Sequence, residues 1–136
     1  MASLPLPDDV RALLAEPNPA VVATLRRSGA PITVATWYLL EDDGRVLLNM
    51  DDSRVRLGHM RRDPRVSLTV TKADDWYTHV SLSGEIEEIA PDEGLDGINR
   101  LSRHYTGQDY PDQVSPRTNA WMRVASWHGW GATRSE

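Results

Sequence analysis

"DDSRVRLGHMRRDPRVSLTV", residues 51–70, holds the change of period on which the fold turns. Val55, Leu57 and Met60 recur at mostly helical spacing, and Ser53 or Asp52 is placed to cap the first turn. Asp63 precedes Pro64, whose ring pushes it out of the helical region, so a helix within 51–62 stops at "RDP". "RVSLTVTK" (65–72) then alternates at period two, as a strand with one buried face does. The same stretch carries five arginines between Arg54 and Arg65, in a chain whose formal net charge is −5.

Upstream, "AVVATLRR" (20–27) reads as a strand, "SGAP" (28–31) as a turn and "ITVATWYLLE" (32–41) as a second strand. "DDG" (42–44) turns the chain into a third strand, "RVLLNM" (45–50). Before this meander, "PDDVRALLAE" predicts an opening helix over 8–16, capped by Asp8 or Asp9 and ended by "PNP". Downstream, "ADD" leads into a long strand over 76–90 that bends near Gly84. A helix over 91–105 follows, with Leu95, Ile98, Leu101 and Tyr105 on one face. Residues 106–119 read as a polar loop and 120–132 as the last strand. Six strands with short helices predict a mainly β chain, folded over 1–136 as one domain with a closed or nearly closed antiparallel barrel at about 20–132. So small a barrel is filled by its own side chains, which leaves a ligand the outside or a seam between two copies.

Composition narrows the function classes. With 136 residues the chain can bury a core without staples. It has no cysteine, which excludes disulfides, thiolate metal sites and cysteine nucleophiles. "MASLPLPDDV" lacks the apolar run of a signal peptide, and no segment approaches a membrane span, so a cytoplasmic protein is expected. The acidic balance argues against nucleic acid as a partner. The four histidines show no metal-binding spacing, and no nucleophile elbow or Gly-rich phosphate loop occurs.

Against that acidic background the arginines divide. Arg61, Arg62 and Arg65 stand near a helix C-terminus, where cations are favourable, and read as a solvated face. Arg54 and Arg56 fall in the first turn, where the dipole disfavours a cation but free N–H groups attract an anion. Two arginines there make sense as bidentate ligands of a phosphate. Asp51 and Asp52 either compete with that anion, cap the helix or orient the arginines.

The order of these pieces resembles the flavin/deazaflavin split β-barrel superfamily, which includes pyridoxamine-phosphate-oxidase-like proteins. The resemblance rests on "ATL" before "SGAP", on the pair Trp37–Tyr38, on "DDGRVLL" and on the basic helix ending in "RRDPRV". "YTHVSLSGEIEEI", "LSRHYTGQDYP" and "WHGWG" extend it over about residues 18–132. It implies a six-stranded split barrel that forms a homodimer, with a cofactor in the groove between subunits. Carried over residue by residue, Arg54 and Arg56 are the phosphate ligands, with Ser53 nearby. Asn49 and Met50 line the groove, and Thr36 and Trp37 meet a tricyclic ring. Tyr77 and His79 present groove side chains from the fifth strand, and His128 is a proton donor on the substrate side. Arg56 stands where the family has a lysine, His59 where it has an asparagine, and Asp51 and Asp52 where it has small uncharged residues.

Within the superfamily the short chain and the tail from Trp127 to Gly131 look most like the F-420-dependent reductases. The implied function is hydride transfer from reduced coenzyme F-420 to an electron-poor small-molecule substrate. The alternatives are an FMN-dependent oxidoreductase and a non-catalytic carrier of flavin, deazaflavin or haem. No metal is implied. Trp76, Trp121, Trp127 and Trp130 are expected in the core or at a subunit interface, with Trp37, Trp127 and Trp130 as the interface or groove candidates.

Overall fold

A computed structural model describes residues 4–133. Helix α1 (Asp8–Leu14) leads into strand β1 (Ala20–Leu25). Arg26 and Ala30 close the turn to β2 (Pro31–Thr36), which β3 (Leu39–Leu40) and β4 (Val46–Asp51) follow. Helix α2 (Val55–Arg62) ends at Asp63, whose backbone is extended (φ −138°, ψ 111°), as the following proline requires. Strand β5 (Arg65–Lys72) turns into the long β6 (Asp75–Pro91); α3 (Asp96–Thr106) and β7 (Arg117–Trp130) complete the chain.

The strands form one antiparallel sheet in the order β2-β1-β5-β6-β7-β4-β3. Its two edges, β2 and β3, are consecutive in sequence and separated by Trp37 and Tyr38 alone. The sheet therefore curls round until its first and last strands are halves of one run of chain. This is a split β-barrel, and the expected second strand over 32–41 is two strands on opposite edges. The break has a physical cause: the Tyr38 side chain is fully buried, and its hydroxyl donates to the Glu16 carbonyl at 3.1 Å. Its neighbour Trp37 stacks on Tyr105 instead of keeping the strand's alternation.

Alternation works where it was expected. Leu68 and Val70 of β5 face Leu82 and Val80 of β6 in register, and all four are fully buried. Each contributes roughly 1.5–3 kcal/mol of burial free energy. The predicted bend is a register shift between Ser83 and Gly84; a Cβ on Gly84 would lie 1.9 Å from the Arg123 carbonyl oxygen. Two boundaries differ from expectation. The helix expected from 91 starts at Asp96, after a 3₁₀ turn over Glu93–Leu95, so Leu95 precedes the helix whose face Ile98, Leu101 and Tyr105 share. The last strand starts at Arg117 rather than 120. No helix among the described residues is long and apolar enough to cross a membrane.

Candidate functional site

Where β4 ends, the two acids that could have neutralised the arginines are occupied elsewhere. The Asp51 carboxylate accepts the Ser53 N–H (2.8 Å) and the Ser53 hydroxyl (2.7 Å), which hold its pKa below the ordinary value. Asp52 accepts the Thr118 hydroxyl at 2.6 Å, and its own N–H donates to the Pro116 carbonyl. Neither caps α2. The N-cap is Arg54, in extended conformation and with no side-chain capping bond, which corrects the assignment of that role to Ser53 or Asp52. The first turn of α2 so presents its N–H groups with no side-chain oxygen against them.

Arg54 and Arg56 have no carboxylate within 4.0 Å among the described residues. Burial pushes the Arg56 pKa down, and the guanidinium groups of Arg54 and Arg117 push it further. Arg56 is thus a half-buried cation crowded by like charges. The rest of the basic segment is settled differently. Arg65 makes a two-pronged contact with Asp63 at 3.0 and 2.7 Å, and Arg62 donates to the Leu25 carbonyl at 2.9 Å.

Arg56 stands on a crest between two clefts, each of about 590 Å³. One lies along the inner face of β2, between Ile32, Val34, Thr24, Arg54 and His59. The register puts Val34 opposite Val22 and Ile32 opposite Thr24, so β2 turns an apolar edge into this cleft. His59 forms its buried floor, with Nδ1 3.0 Å from the Thr24 hydroxyl. The other cleft opens at the split in the barrel, beneath α3, and has aromatic walls. Trp37 stacks on Tyr105 (centroids 5.2 Å, planes 12° apart) and meets Tyr110 edge-on at 6.2 Å. Burial pushes the Tyr105 pKa up to about 12, and its neutral hydroxyl donates to the Asn18 carbonyl at 2.7 Å.

The residues singled out from sequence distribute over these features. Thr36, Trp37 and Asn49 line the aromatic cleft, Arg54 lines the β2 cleft, and Arg56 lines both. Met50 is 1% exposed and packs into the core, so only its backbone can border a groove. Ser53 is exposed and committed to Asp51. Tyr77 and His79 lie in a separate depression with Trp76 and Trp130, and His128 stacks on Trp130 at 6.3 Å. Trp127 belongs to the core, not to an exposed face. The described residues contain no His, Asp and Glu group able to hold a metal.

Sequence reasoning missed Arg117 and the buried polar set behind it. Arg117 donates from Nε to Asn49 Oδ1 at 2.7 Å, and its guanidinium lies 5.0 Å from the Tyr110 ring centroid. The Asn49 amide donates to Asp92 (3.0 Å) and Asn119 (2.7 Å). Asp92 also accepts the Gly97 and Ile98 N–H groups at the start of α3. The available signal was the close placement of Asp92, a helix-start residue, before the helix that covers Asn49.

Residues 6–131 match pyridoxamine 5'-phosphate oxidase, and the chain belongs to that family. No curated protein sequence matches it. Among solved structures it is similar to an F-420 reductase, at 23% identity and a TM-score of 0.79, covering 89% of this chain and 97% of that one. A conserved hypothetical protein from Mycobacterium tuberculosis is 23% identical with a TM-score of 0.74, over 94% and 86% of the two chains. A protein of unknown function from Agrobacterium tumefaciens is 26% identical with a TM-score of 0.69, over 88% of this chain and 53% of that one. The likenesses show the split-barrel fold.

Proposed function

We propose that this family member binds a phosphorylated tricyclic redox cofactor, coenzyme F-420 in preference to FMN, and uses it to reduce an electron-poor small molecule. The observation that carries the reading is Arg56. A half-buried cation beside two others is costly unless an anion joins it, since a buried charge needs a partner. A phosphate on the crest supplies that partner, and Arg54 and the uncapped first turn of α2 add donors to the same seat. The residues present fit such a group: cations and N–H groups at one end, and the apolar edge of Ile32 and Val34 beside them for a flat ring. Bound there, the cofactor supplies the hydride chemistry, and the chain supplies binding and orientation. Thr36, Trp37 and Asn49, which the resemblance gives to the cofactor, line the adjoining cleft across Arg56 rather than this seat.

The seat is half of a groove. β2 is an edge strand, and Val34 on one face and Val21 of β1 on the other are 38% and 41% exposed. An uncovered apolar edge of this kind is suited to burial against a second copy. A homodimer also accounts for the separation of Tyr77, His79 and His128 from the seat in one chain, since the second copy brings its own set to the groove. His128 then donates the proton that completes the reduction. His128→Ala is expected to lower turnover while cofactor affinity stays nearly unchanged.

The preference for F-420 is supported by the cationic surroundings of the crest, where Arg26, Arg54 and Arg56 border one cleft and suit a phosphodiester with an acidic tail. It is also supported by likeness to a structure named as an F-420 reductase. The test is a titration of the cofactor-free protein with each cofactor, followed by tryptophan quenching. Saturable F-420 binding, with oxidation of the reduced cofactor by an added acceptor, is the expected result. Tight FMN binding with no F-420 saturation overturns the preference. Binding without turnover across a panel of conjugated carbonyl acceptors leaves a carrier.

A further inference from the structure

The aromatic cleft on the other side of Arg56 has the composition of a second ligand site. Two cations line it, Arg56 and Arg117, and Arg117 is fixed but not neutralised. Asn49 holds the guanidinium through Nε, and Tyr110 lies under its face. Asn49 is itself fixed by Asp92, which is 7% exposed, and by buried Asn119. Asp92 spends its oxygens on Asn49, on two helix N–H groups and on Asn119, so its charge orients Arg117 through the amide without pairing with it. Asp51 and Asp112 lie close enough to feel Arg117, but Asp51 is held by Ser53, and Asp112 by Val114 and Ser115. No carboxylate lies within 4.0 Å of Arg117 among the described residues.

We propose that this cleft recognises a planar, unsaturated carboxylate, with Arg117 as the residue that binds the carboxylate and Asn49 and Asp92 as its positioning pair. The flat body of the ligand lies against Trp37, Tyr105 and Tyr110, where ring stacking adds to burial. The free edge of a guanidinium held at Nε presents a planar fork to the two carboxylate oxygens. The cleft's volume of about 590 Å³ is that of a small-molecule site, and a bound carboxylate also offsets the crowding among Arg117 and Arg56. The inference does not depend on the cofactor reading, which places the phosphate at the crest and the ring along β2.

The test is calorimetric titration of the cofactor-free full chain with naphthalene-2-carboxylate and with the neutral naphthalene-2-carboxamide, which has the same shape. The expected result is one saturable site for the carboxylate and about ten-fold weaker binding of the amide, the loss of one charge-assisted contact. Arg117→Gln should bring the carboxylate down to the amide's affinity. Asn49→Ala should narrow the carboxylate preference and leave amide binding in place, which a merely structural role for Asn49 would not do. Cofactor affinity in Arg117→Gln should change by less than the carboxylate affinity. Equal affinity for carboxylate and amide in the wild-type chain, or no saturable carboxylate binding, overturns the proposal without reference to any variant. An equal loss of cofactor and carboxylate in Arg117→Gln also overturns it, because the two would then share one seat.

Discussion

Two sets of arginines divide the molecule. Around β3, β4 and β6 the set is paired. Arg45 contacts Asp43 at 3.0 Å and Glu88 at 2.8 Å and lies over the Trp121 ring, and Arg100 is paired with Glu41. Burial pushes the Glu41 pKa up, but the hydrogen bonds from Arg100 and Trp121 outweigh it, and the net shift is downward. Around the start of α2 the set is crowded and unpaired: Arg54, Arg56 and Arg117, with the nearest acids tied to hydroxyl and amide groups. One residue type thus does two jobs. Where carboxylates answer the guanidinium groups, the charge holds strands and helix together. Where carboxylates are turned away, the charge is left without a carboxylate partner among the described residues.

The contrast breaks most visibly under charge reversal. Arg56→Glu should weaken cofactor binding by about a hundred-fold or more, since it removes a charge-assisted bond and adds a repulsion. The same change should leave the thermal midpoint of the cofactor-free protein unchanged or higher, because a carboxylate between Arg54 and Arg117 relieves their crowding; differential scanning calorimetry reads it. Arg54→Ala, at a more exposed position, should cost about ten-fold in affinity and steepen with falling salt. The paired set should answer in the other currency: Arg100→Ala should lower stability by about 1 kcal/mol in denaturant unfolding and leave cofactor affinity alone. The smallest effect sharpens the contrast at the end of α2. Hydrogen bonds from Arg65 hold the Asp63 pKa down at about 2. A depressed carboxyl stabilises the fold above the ordinary Asp range near pH ~4 and loses that contribution as pH falls toward about 2. The stability gap between the wild type and Asp63→Asn should therefore be flat from neutral pH to about 5 and close below it.

What the sequence disclosed was set by the range of the interactions. β5 was legible to its ends at Arg65 and Lys72, because alternation and the "RDP" stop are local. Arg54 and Arg56 were legible as a pair because their position in the first turn conflicts with the helix dipole. The N-cap was not, because Asp51 and Asp52 are held by Ser53 and by Thr118, the latter a residue of β7 far along the chain. The split at Trp37–Tyr38 was hidden in a run whose apolar residues suit a strand on either side, and only contacts with Glu16, beyond the end of α1, and with α3 separate the halves. Arg117 fell in a stretch read as loop, since its strand pairing with Asp51 and its bond to Asn49 are both long-range.

The proposed seat would hold the cofactor phosphate through particular guanidinium groups rather than through general positive charge. Equilibrium titration of F-420 and FMN into the wild-type chain, Arg56→Ala and Arg61→Ala tests it directly. Arg61 lies on the same helix, about 1.4 turns further along, and is exposed. Arg56→Ala should weaken binding of the preferred cofactor about ten-fold or more while Arg61→Ala matches the wild type. Equal losses in the two variants would contradict it.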